Sequence, residues 1–421
     1  MGIIANNQSA FDSVVENEKA ASAGRIAAAI EAFDRLIYSR IDHGRFAVVR
    51  NKPRTVATSA GDVTYRRRYY RDSLDGTYYC PADMALGLGK RVRISNELRA
   101  RLVLNASEMS YSLAARTASE YSTVSKATVC RAVAKAKVES TLPGLAAKGP
   151  SGGARIHVQI DEKYVSIAGS RRKTRLYTAT IFRGRENVGK KGRKRLKGRT
   201  ITSSRSPKRL GRMLSSLLAG RYGVTADDTV WLSGDLASYI VGFGESITAC
   251  KAVYVPDKWH VCHMVASDMG ESLRVSPELA AEAVKAIAET GDVSSMEGLA
   301  CLPAVRLCME NPKVFDPWFD PSYEGCSQEG MNSHYYARRF AKCPNRFKES
   351  TVLKLSSIIE SRQNAAAFSI TFPAIAGPDS IDDVPWIGKP YEELPKYSLN
   401  IDGMPSGSRK VFTNIKFGGL E

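Results

Sequence analysis

The segment IHVQIDEKYVSI, Ile156 to Ile167, constrains this chain more than any other. Its residues alternate with the period of a β-strand, placing Ile156, Val158 and Ile160 on one side and His157, Gln159 and Asp161 on the other. Asp161 stands where the hydrophobic strand is expected to end, next to the most basic stretch of the chain. A carboxylate in that position points to a site that holds divalent metal against a phosphate backbone.

Charge decides the class of partner. The 421 residues carry 61 Lys and Arg against 43 Asp and Glu, an excess of eighteen, and most of it is local. Arg171 to Arg212 contains seventeen basic residues and one acid, Glu186. A positive field so concentrated implies a polyanion, with nucleic acid the leading candidate. The length predicts two or three domains. No apolar run approaches the roughly 20 residues of a membrane span. Met1-Gly2 opens like a myristoylation signal, but Asn6 stands where Ser or Thr is required. The eight cysteines form no CxxC pair, which fits a reducing compartment, and a cytoplasmic location is expected.

Residues 10–40 have helical periodicity through Phe11, Val14, Ile26, Ile30, Phe33 and Ile37. From Arg54 the period changes to two: RTVATSAGDVTYRRRYY predicts a β-hairpin turning at Ser59 to Asp62. Its second arm brings Arg66, Arg67 and Arg68 together with Tyr69 and Tyr70, a mixture suited either to phosphates and bases or to a solvated edge strand. Helices are predicted after Ser95, from Ser110 to Glu120, and after Ser125, a good N-cap. The last two form a helix-turn-helix-like pair presenting Lys126, Arg131 and Lys135. Gly, Pro and Ser between Leu142 and Gly153 predict a linker.

Beyond the linker, strands are predicted at Arg155–Ile160, Lys163–Ile167 and Leu176–Phe182, with a turn carrying Arg171, Arg172 and Lys173. A basic loop follows, then a helix near Pro207–Ala219, a strand Thr229–Leu232 ending in Ser-Gly-Asp235, a helix, a strand Ala252–Val255, and a helix holding His260 after Asp257. This β-β-β-α-β-α-β-α order is that of an α/β ribonuclease-H-like domain, with carboxylates gathered at strand ends. Residues 271–324 predict a helical insertion, and a later helix bears Glu329. The expected organisation is therefore a helical segment 1–53, a mainly α DNA-binding region with a β-hairpin at 54–145, and a catalytic domain from 154–270 and 325–365 with its insertion. A tail, 366–421, closes the chain.

Cutting or transferring a phosphodiester requires one oxygen to be activated and another to be stabilised in line with it. Two Mg²⁺ or Mn²⁺ ions about 3.5–4 Å apart do both, and such hard cations take carboxylate ligands. Asp161, Asp235 and Glu329 lie on three separate elements that this fold would bring together, with Asp161 bridging both metals. Taken singly, Asp235 and Asp257 could each simply cap the helix that follows. Glu162 points to the opposite face of an extended strand, which favours Asp161. The set His260, Cys262, His263, Cys326 and His334 matches no standard zinc spacing. The cluster Lys190, Lys191, Arg193, Lys194, Arg195, Lys197 and Arg199, close to the predicted metal site, suits a DNA clamp.

IDEKYV at the first acid, GDLASYI at the second, VPDKWHVCHMV, and GCSQEGMNSHYYARR at the glutamate resemble the ISLre-like family of bacterial insertion-sequence DDE transposases, relatives of the Mutator and hAT types. The likeness extends upstream through the hairpin and through LGLGKRVRISNELRARLVLNASEMSYSLAAR, and so spans Arg54 to about Arg362. It implies metal-dependent DNA cleavage and strand transfer through Asp161, Asp235 and Glu329. It also implies that Asp257 and His260 form the Asp-x-x-His element beside the active site. The expected partners are double-stranded DNA, as terminal inverted repeats and target, and further copies of the chain, on the nucleoid and without a membrane. The competing expectations are a catalytically inactive DNA-binding regulator or architectural protein, and a ribonuclease-H-like nuclease that cuts without joining.

Overall fold

The structure is a computed structural model describing residues 10–119, 122–142, 145, 156–188, 193–235, 238–273, 284–286, 289, 306, 310, 312–321, 323–341, 346–365 and 367–373. They fall into two compact units, one within Met1–Glu139 and Ser369–Glu421, the other within Ser140–Phe368. The C-terminal tail beyond 373, and most of the predicted insertion, lie outside the described residues.

In the first unit, helix α1 (Ala10–Arg40) precedes a long hairpin of β1 (Phe46–Thr58) and β2 (Gly61–Asp72), turning at Ser59 and Ala60. Phe33, Ile37 and Ile41, spaced four apart, bury one helical face against Phe46, Tyr70 and Ala82. The helix is thus part of this unit rather than a separate segment. A short strand β3 (Tyr78–Tyr79) pairs with β2, and a single helical turn α2 (Pro81–Ala85) follows. From Gly61 to Arg67 strand β2 alternates, so Val63, Tyr65 and Arg67 point inward while Arg66 faces solvent.

The inward Arg67 is tolerated because Asp83 is buried with it. Asp83 accepts from Arg67 Nε and Tyr65 Oη, both at 2.9 Å, and pairs with Arg54 at 2.6 Å. Arg68 is likewise committed, to buried Asp34 of α1, whose Oδ1 also accepts the Arg68 main-chain N–H at 3.1 Å.

Three helices complete the unit: α3 (Asn96–Ala106), α4 (Tyr111–Ala118) and α5 (Lys126–Lys135). Each begins at a serine whose hydroxyl accepts a main-chain N–H three residues on: Ser95 from Leu98 at 3.1 Å, Ser110 from Leu113 at 3.2 Å, and Ser125 from Thr128 at 3.3 Å. Leu98, Leu102, Ala114, Ala118, Val129 and Val133 fill the space between them. Helix α5 therefore turns Lys126, Arg131 and Lys135 outward. Strand β4 (Lys137–Thr141) follows.

The second unit is built on a five-stranded sheet. Its elements in chain order are β5 (Ile156–Ser166), β6 (Lys173–Phe182), the small hairpin β7 (Arg185–Val188) and β8 (Arg193–Leu196), β9 (Thr200–Ser204), α6 (Pro207–Tyr222), β10 (Thr229–Gly234), α7 (Ser238–Val241), β11 (Lys251–Pro256) and α8 (Lys258–Leu273). The sheet order is β11-β10-β5-β6-β9, with β6 antiparallel to both neighbours and β10 parallel to β5 and β11. Val158, Ile160, Ala179, Ile181 and Leu232 meet Leu210, Leu214 and Leu218 of α6 to form the core. Helix α6 starts at the Ser206 cap and ends at Gly223, whose φ of 65° is the left-handed conformation that favours glycine. After the expected insertion come the helical turn Gln328–Met331, a π-helical stretch Asn332–Ala337, a short continuation Arg338–Phe340, and the closing helix Glu349–Asn364.

Two expectations change. The strand carrying Asp161 does not end there: the ladder to β6 runs on without a break from His157 to Ser166, so Asp161 lies mid-strand opposite Thr178. The pairing with β10 stops at Gln159, and beyond it the ladder to β6 holds the half-buried Asp-Glu-Lys run extended. The basic loop is also not featureless, since it contains β7, β8 and the edge strand β9.

Gly234 closes β10 where no side chain fits. A Cβ there would stand 2.9 Å from the Ile160 carbonyl oxygen and 2.8 Å from Ile240 Cδ1. Gly234→Ala is expected to lower stability by about 1–3 kcal/mol through overpacking. Chemical denaturation reads this directly, and an unchanged midpoint would refute the tight approach of the two strands.

Candidate functional site

Strand register alone brings three acids to one end of the sheet. Ser233 of β10 is paired with Gln159 of β5, and Gly234 with Pro256 of β11. Asp161, Asp235 and Asp257 thus each follow the last paired position by one or two residues at the same end of the sheet, and the Asp235 charge acts on Asp161. The Asp257 N–H donates to the Gly234 carbonyl at 2.8 Å, and Tyr254 Oη donates to the Asp235 carbonyl at 2.7 Å, fixing both strand ends.

Asp161 is half-buried. Its Oδ1 accepts from the Glu162 main-chain N–H at 2.6 Å and its Oδ2 from Asn332 Nδ2 at 2.5 Å. Burial pushes its carboxyl above the usual range, these two hydrogen bonds pull it back, the Asp235 charge pushes it up again, and His260 opposes that. Glu162 is directed elsewhere: it accepts from Tyr164 Oη at 2.6 Å and faces Arg175 at 3.6 Å. Asp257 is buried and caps α8, accepting the Trp259 N–H at 3.3 Å, while its other oxygen binds His260 Nδ1. That hydrogen bond is the foremost cause of a raised His260 pKa, and the charges of Asp257, Asp235 and Asp161 add to it against burial. The helix-cap reading of Asp257 and its place beside the acids are therefore both satisfied.

The polar face of β5 binds the late segment of the chain. His157 stacks on Phe182 at 4.8 Å and lies 6.1 Å from Tyr323. Gln159, fully buried, donates to the Gly325 carbonyl at 2.7 Å and accepts the Ser327 N–H at 3.0 Å. Asp161 takes Asn332. Thr178 of β6 joins the network, its Oγ1 lying 2.6 Å from Asn332 Oδ1 and 3.2 Å from Gln328 Nε2. Sequence reasoning missed Gln159, Thr178, Gln328 and Asn332. The one available signal was that Gln159 shares the Asp161 face, since the partners lie about 150 to 170 residues away.

Glu329 follows Gln328 in the same helical turn, so the network anchors its backbone to β5, while its side chain lies outside the described residues. Among the described residues no group of three or more His, Cys, Asp or Glu is placed to hold a metal. Asp161 and Asp235 nevertheless supply oxygen donors that suit a hard divalent cation, and Asp161 is a half-buried carboxylate, raised by desolvation, whose charge such a cation would offset.

The basic residues divide by role. Arg67, Arg68 and Arg199 are engaged within the fold, Arg67 with Asp83, Arg68 with Asp34, and Arg199 with Tyr335 and with Gln363 at 2.9 Å. Arg66, Lys126, Arg131, Lys135, Arg171, Arg172, Lys173, Lys194, Arg195 and Lys197 are exposed. Lys190 and Lys191, and the side chain of Arg193, lie outside the described residues. No helix among the described residues is long and apolar enough to cross a membrane. Cys80, Cys130, Cys250 and Cys326 are free thiols.

Residues 9–302 match the family described as "Uncharacterised protein family (UPF0236)". Similar proteins occur in Caldanaerobacter subterraneus subsp. tengcongensis. One UPF0236 protein is 25% identical over 343 residues, covering 76% of this chain and 70% of its own length. A second is 26% identical over 339 residues with the same coverage of both. A third, 26% identical over 345 residues, covers 76% of this chain and 70% of its own, and its name joins eleven locus designations.

The π-helical stretch ends in a titrating contact. Glu360 accepts from Ser203 Oγ at 2.5 Å and from Tyr336 Oη at 3.1 Å, and burial pushes its carboxyl to about 8. A carboxyl raised on folding contributes fully below its unfolded pKa of about 4.3 and loses that contribution as pH rises through the folded value. Wild-type stability is therefore expected to fall between about pH 5 and 8, by at most about 1.4 kcal/mol per unit. Glu360→Gln is expected to flatten this slope in denaturation curves recorded across the range. An equal slope in both proteins would reject the assignment.

Proposed function

The chain belongs to the uncharacterised protein family UPF0236, and from its own residues we propose that it is a DDE transposase, a divalent-metal-dependent enzyme that cleaves DNA strands and joins them. The observation that carries this reading is the parallel register of β5, β10 and β11, in which Asp161, Asp235 and Asp257 each follow within two residues of the last paired position. The sheet order, with its second strand alone antiparallel, supports a ribonuclease-H-like catalytic domain. The finer assignment is to the ISLre-like insertion-sequence enzymes, on the motifs around these acids. A relative whose name joins eleven loci of one genome supports it too, because a self-copying element leaves one coding sequence at many places.

In this reading Asp161, Asp235 and Glu329 would hold two Mg²⁺ or Mn²⁺ ions, whose chemistry there would be to activate an attacking oxygen and stabilise a leaving one. The protein's own contribution is placement. Asn332 fixes one oxygen of Asp161, and Gln159 and Thr178 fix the segment that carries Glu329 and Asn332. Asp257 orients His260 so that its other ring nitrogen is available to a phosphate oxygen of the bound strand. Helix α5 presents Lys126 and Arg131 to the duplex of the terminal repeats, and the exposed basic residues after β5 hold the DNA backbone. Assembly of further copies on DNA would bring two element ends together.

The test is a cleavage and joining assay with Mn²⁺ on DNA carrying the sequences that flank the gene. Asp161→Asn and Asp235→Asn are expected to retain DNA binding and to lose cleavage by more than the roughly 10–100-fold that removing an outer-shell partner costs, the range expected for Asn332→Ala. Cleavage surviving in Asp161→Asn would sink the assignment. Cut products without covalent joints would instead identify a nuclease, and DNA binding without cleavage by the wild type a regulator.

A further inference from the structure

The segment that holds Asp161 is itself held at a second point. Asp161, Thr178 and Ser203 are cross-strand partners in one row of β5, β6 and β9, so their side chains share a face of the sheet. Asn332 meets the first two, at Asp161 Oδ2 over 2.5 Å and at Thr178 Oγ1 over 2.6 Å. Ser203 instead donates to Glu360 Oε1 of the closing helix at 2.5 Å, and the same oxygen accepts from Tyr336 Oη at 3.1 Å. Asn332 opens the π-helical stretch and the buried Tyr336 lies four residues on within it. Both ends of the stretch are therefore tied to one row of the sheet, Asn332 directly and Tyr336 through Glu360. An isolated π-helical turn is an uncommon backbone state, here flanked on both sides by α-helix, so contacts outside it must select it. A return to α-helical pitch would turn position 332 relative to 336, and the two ties together forbid that.

We propose that Glu360 is a positioning residue of the reaction centre: by holding Tyr336 it keeps the π-helical stretch at the pitch in which Asn332 fixes Asp161. It acts through Tyr336 and not on the reacting atoms. The inference rests on the transposase reading for what is positioned, whereas the brace itself stands on the hydrogen bonds. Glu360 is faced by Ser203 from β9 and by Tyr336 from the π-helical stretch. It also lines a groove of about 710 Å³ together with Arg209 and Arg212 of α6, a groove that Tyr336 does not line. The protonated carboxyl is neutral and stays with its two hydroxyl partners. Once ionised, it has two cations to turn to on the groove side, so the brace is tightest while the proton is on.

Hydrogen exchange of the full chain at pH 7, without metal or DNA, reads the brace directly. Glu360→Ala and Tyr336→Phe are each expected to speed exchange about tenfold in the peptide spanning 332–337 and in the one containing Glu162, whose N–H Asp161 accepts. Glu360→Gln keeps an acceptor for both hydroxyls and is expected to match the wild type. In the Mn²⁺ cleavage assay Glu360→Ala and Tyr336→Phe are expected to lower kcat about tenfold, the low end for an outer-shell partner, with KM for DNA unchanged. Wild-type kcat is expected to fall as pH rises through about 8, and that of Glu360→Gln to stay level. Faster exchange confined to β9 and the closing helix in Glu360→Ala would overturn the proposal, because it would make Glu360 a purely structural residue. So would wild-type exchange in Tyr336→Phe, or the same loss of kcat above pH 8 in wild type and Glu360→Gln. Tyr336→Phe keeps the ring, and Arg199 still joins Tyr335 to Gln363, so this variant decides the matter even where Glu360→Ala does not fold. A wild type that does not cleave DNA would fail the underlying reading, while the exchange result would still decide the brace.

Discussion

The two-sidedness of β5 is the constraint on which the second unit depends. Its apolar face meets α6, and its polar face, through His157, Gln159 and Asp161, meets a segment about 160 residues further on. A slip of one residue in register would exchange the faces, burying Gln159 and Asp161 against leucines and stranding their partners. Core packing and site assembly are therefore enforced by the same ladder. The parallel pairing with β10 extends this to Asp235, and the absence of a side chain at Gly234 lets the two strands approach at the level of the acids.

Charge in this protein divides between structure and surface. In the first unit Asp83 and Asp34 neutralise Arg54, Arg67 and Arg68 within the fold. Removing one member of such a pair leaves an uncompensated buried charge, whose cost of about 3–5 kcal/mol makes these contacts hard to exchange for ligand contacts. The cationic side chains left exposed include those on α5 and around the β7–β8 hairpin. Counting basic residues along a sequence overstates the exposed cationic surface for this reason.

Local chemistry was legible in the sequence and long-range chemistry was not. The three serine caps, the hairpin turn near Ser59 and the alternation of β5 each depend on residues within about four positions, and the structure has them where the residues indicate. The identities of Asp161, Asp235 and Asp257 were legible because each terminates or interrupts an apolar run. Strands β7 to β9 were hidden, since their Arg- and Lys-rich composition reads as a loop while the pairing that makes them strands lies in their partners. The interruption of β5 after Ile160 was read from its charged run, yet a ladder to β6 holds that run extended. Asn332 and Thr178 carried no local signal at all, being ordinary polar residues until folding sets them against Asp161.

The arrangement around Asp161 is one that a fold selected for stability alone would avoid. A half-buried carboxylate interacts with the charge of a second aspartate, and its hydrogen bonds only partly offset the loss of hydration. Replacing such a group by an apolar residue of similar volume is often neutral or stabilising in proteins. The chain instead spends Asn332, Thr178 and Gln159 on holding the group in place, and it has a π-helical stretch beginning at Asn332, a geometry found mostly at functional sites. Polar groups committed to keeping a destabilising charge in a fixed orientation are understandable if something bound there repays the cost. On the proposed reading, a hard cation held by Asp161 and Asp235 would meet that requirement.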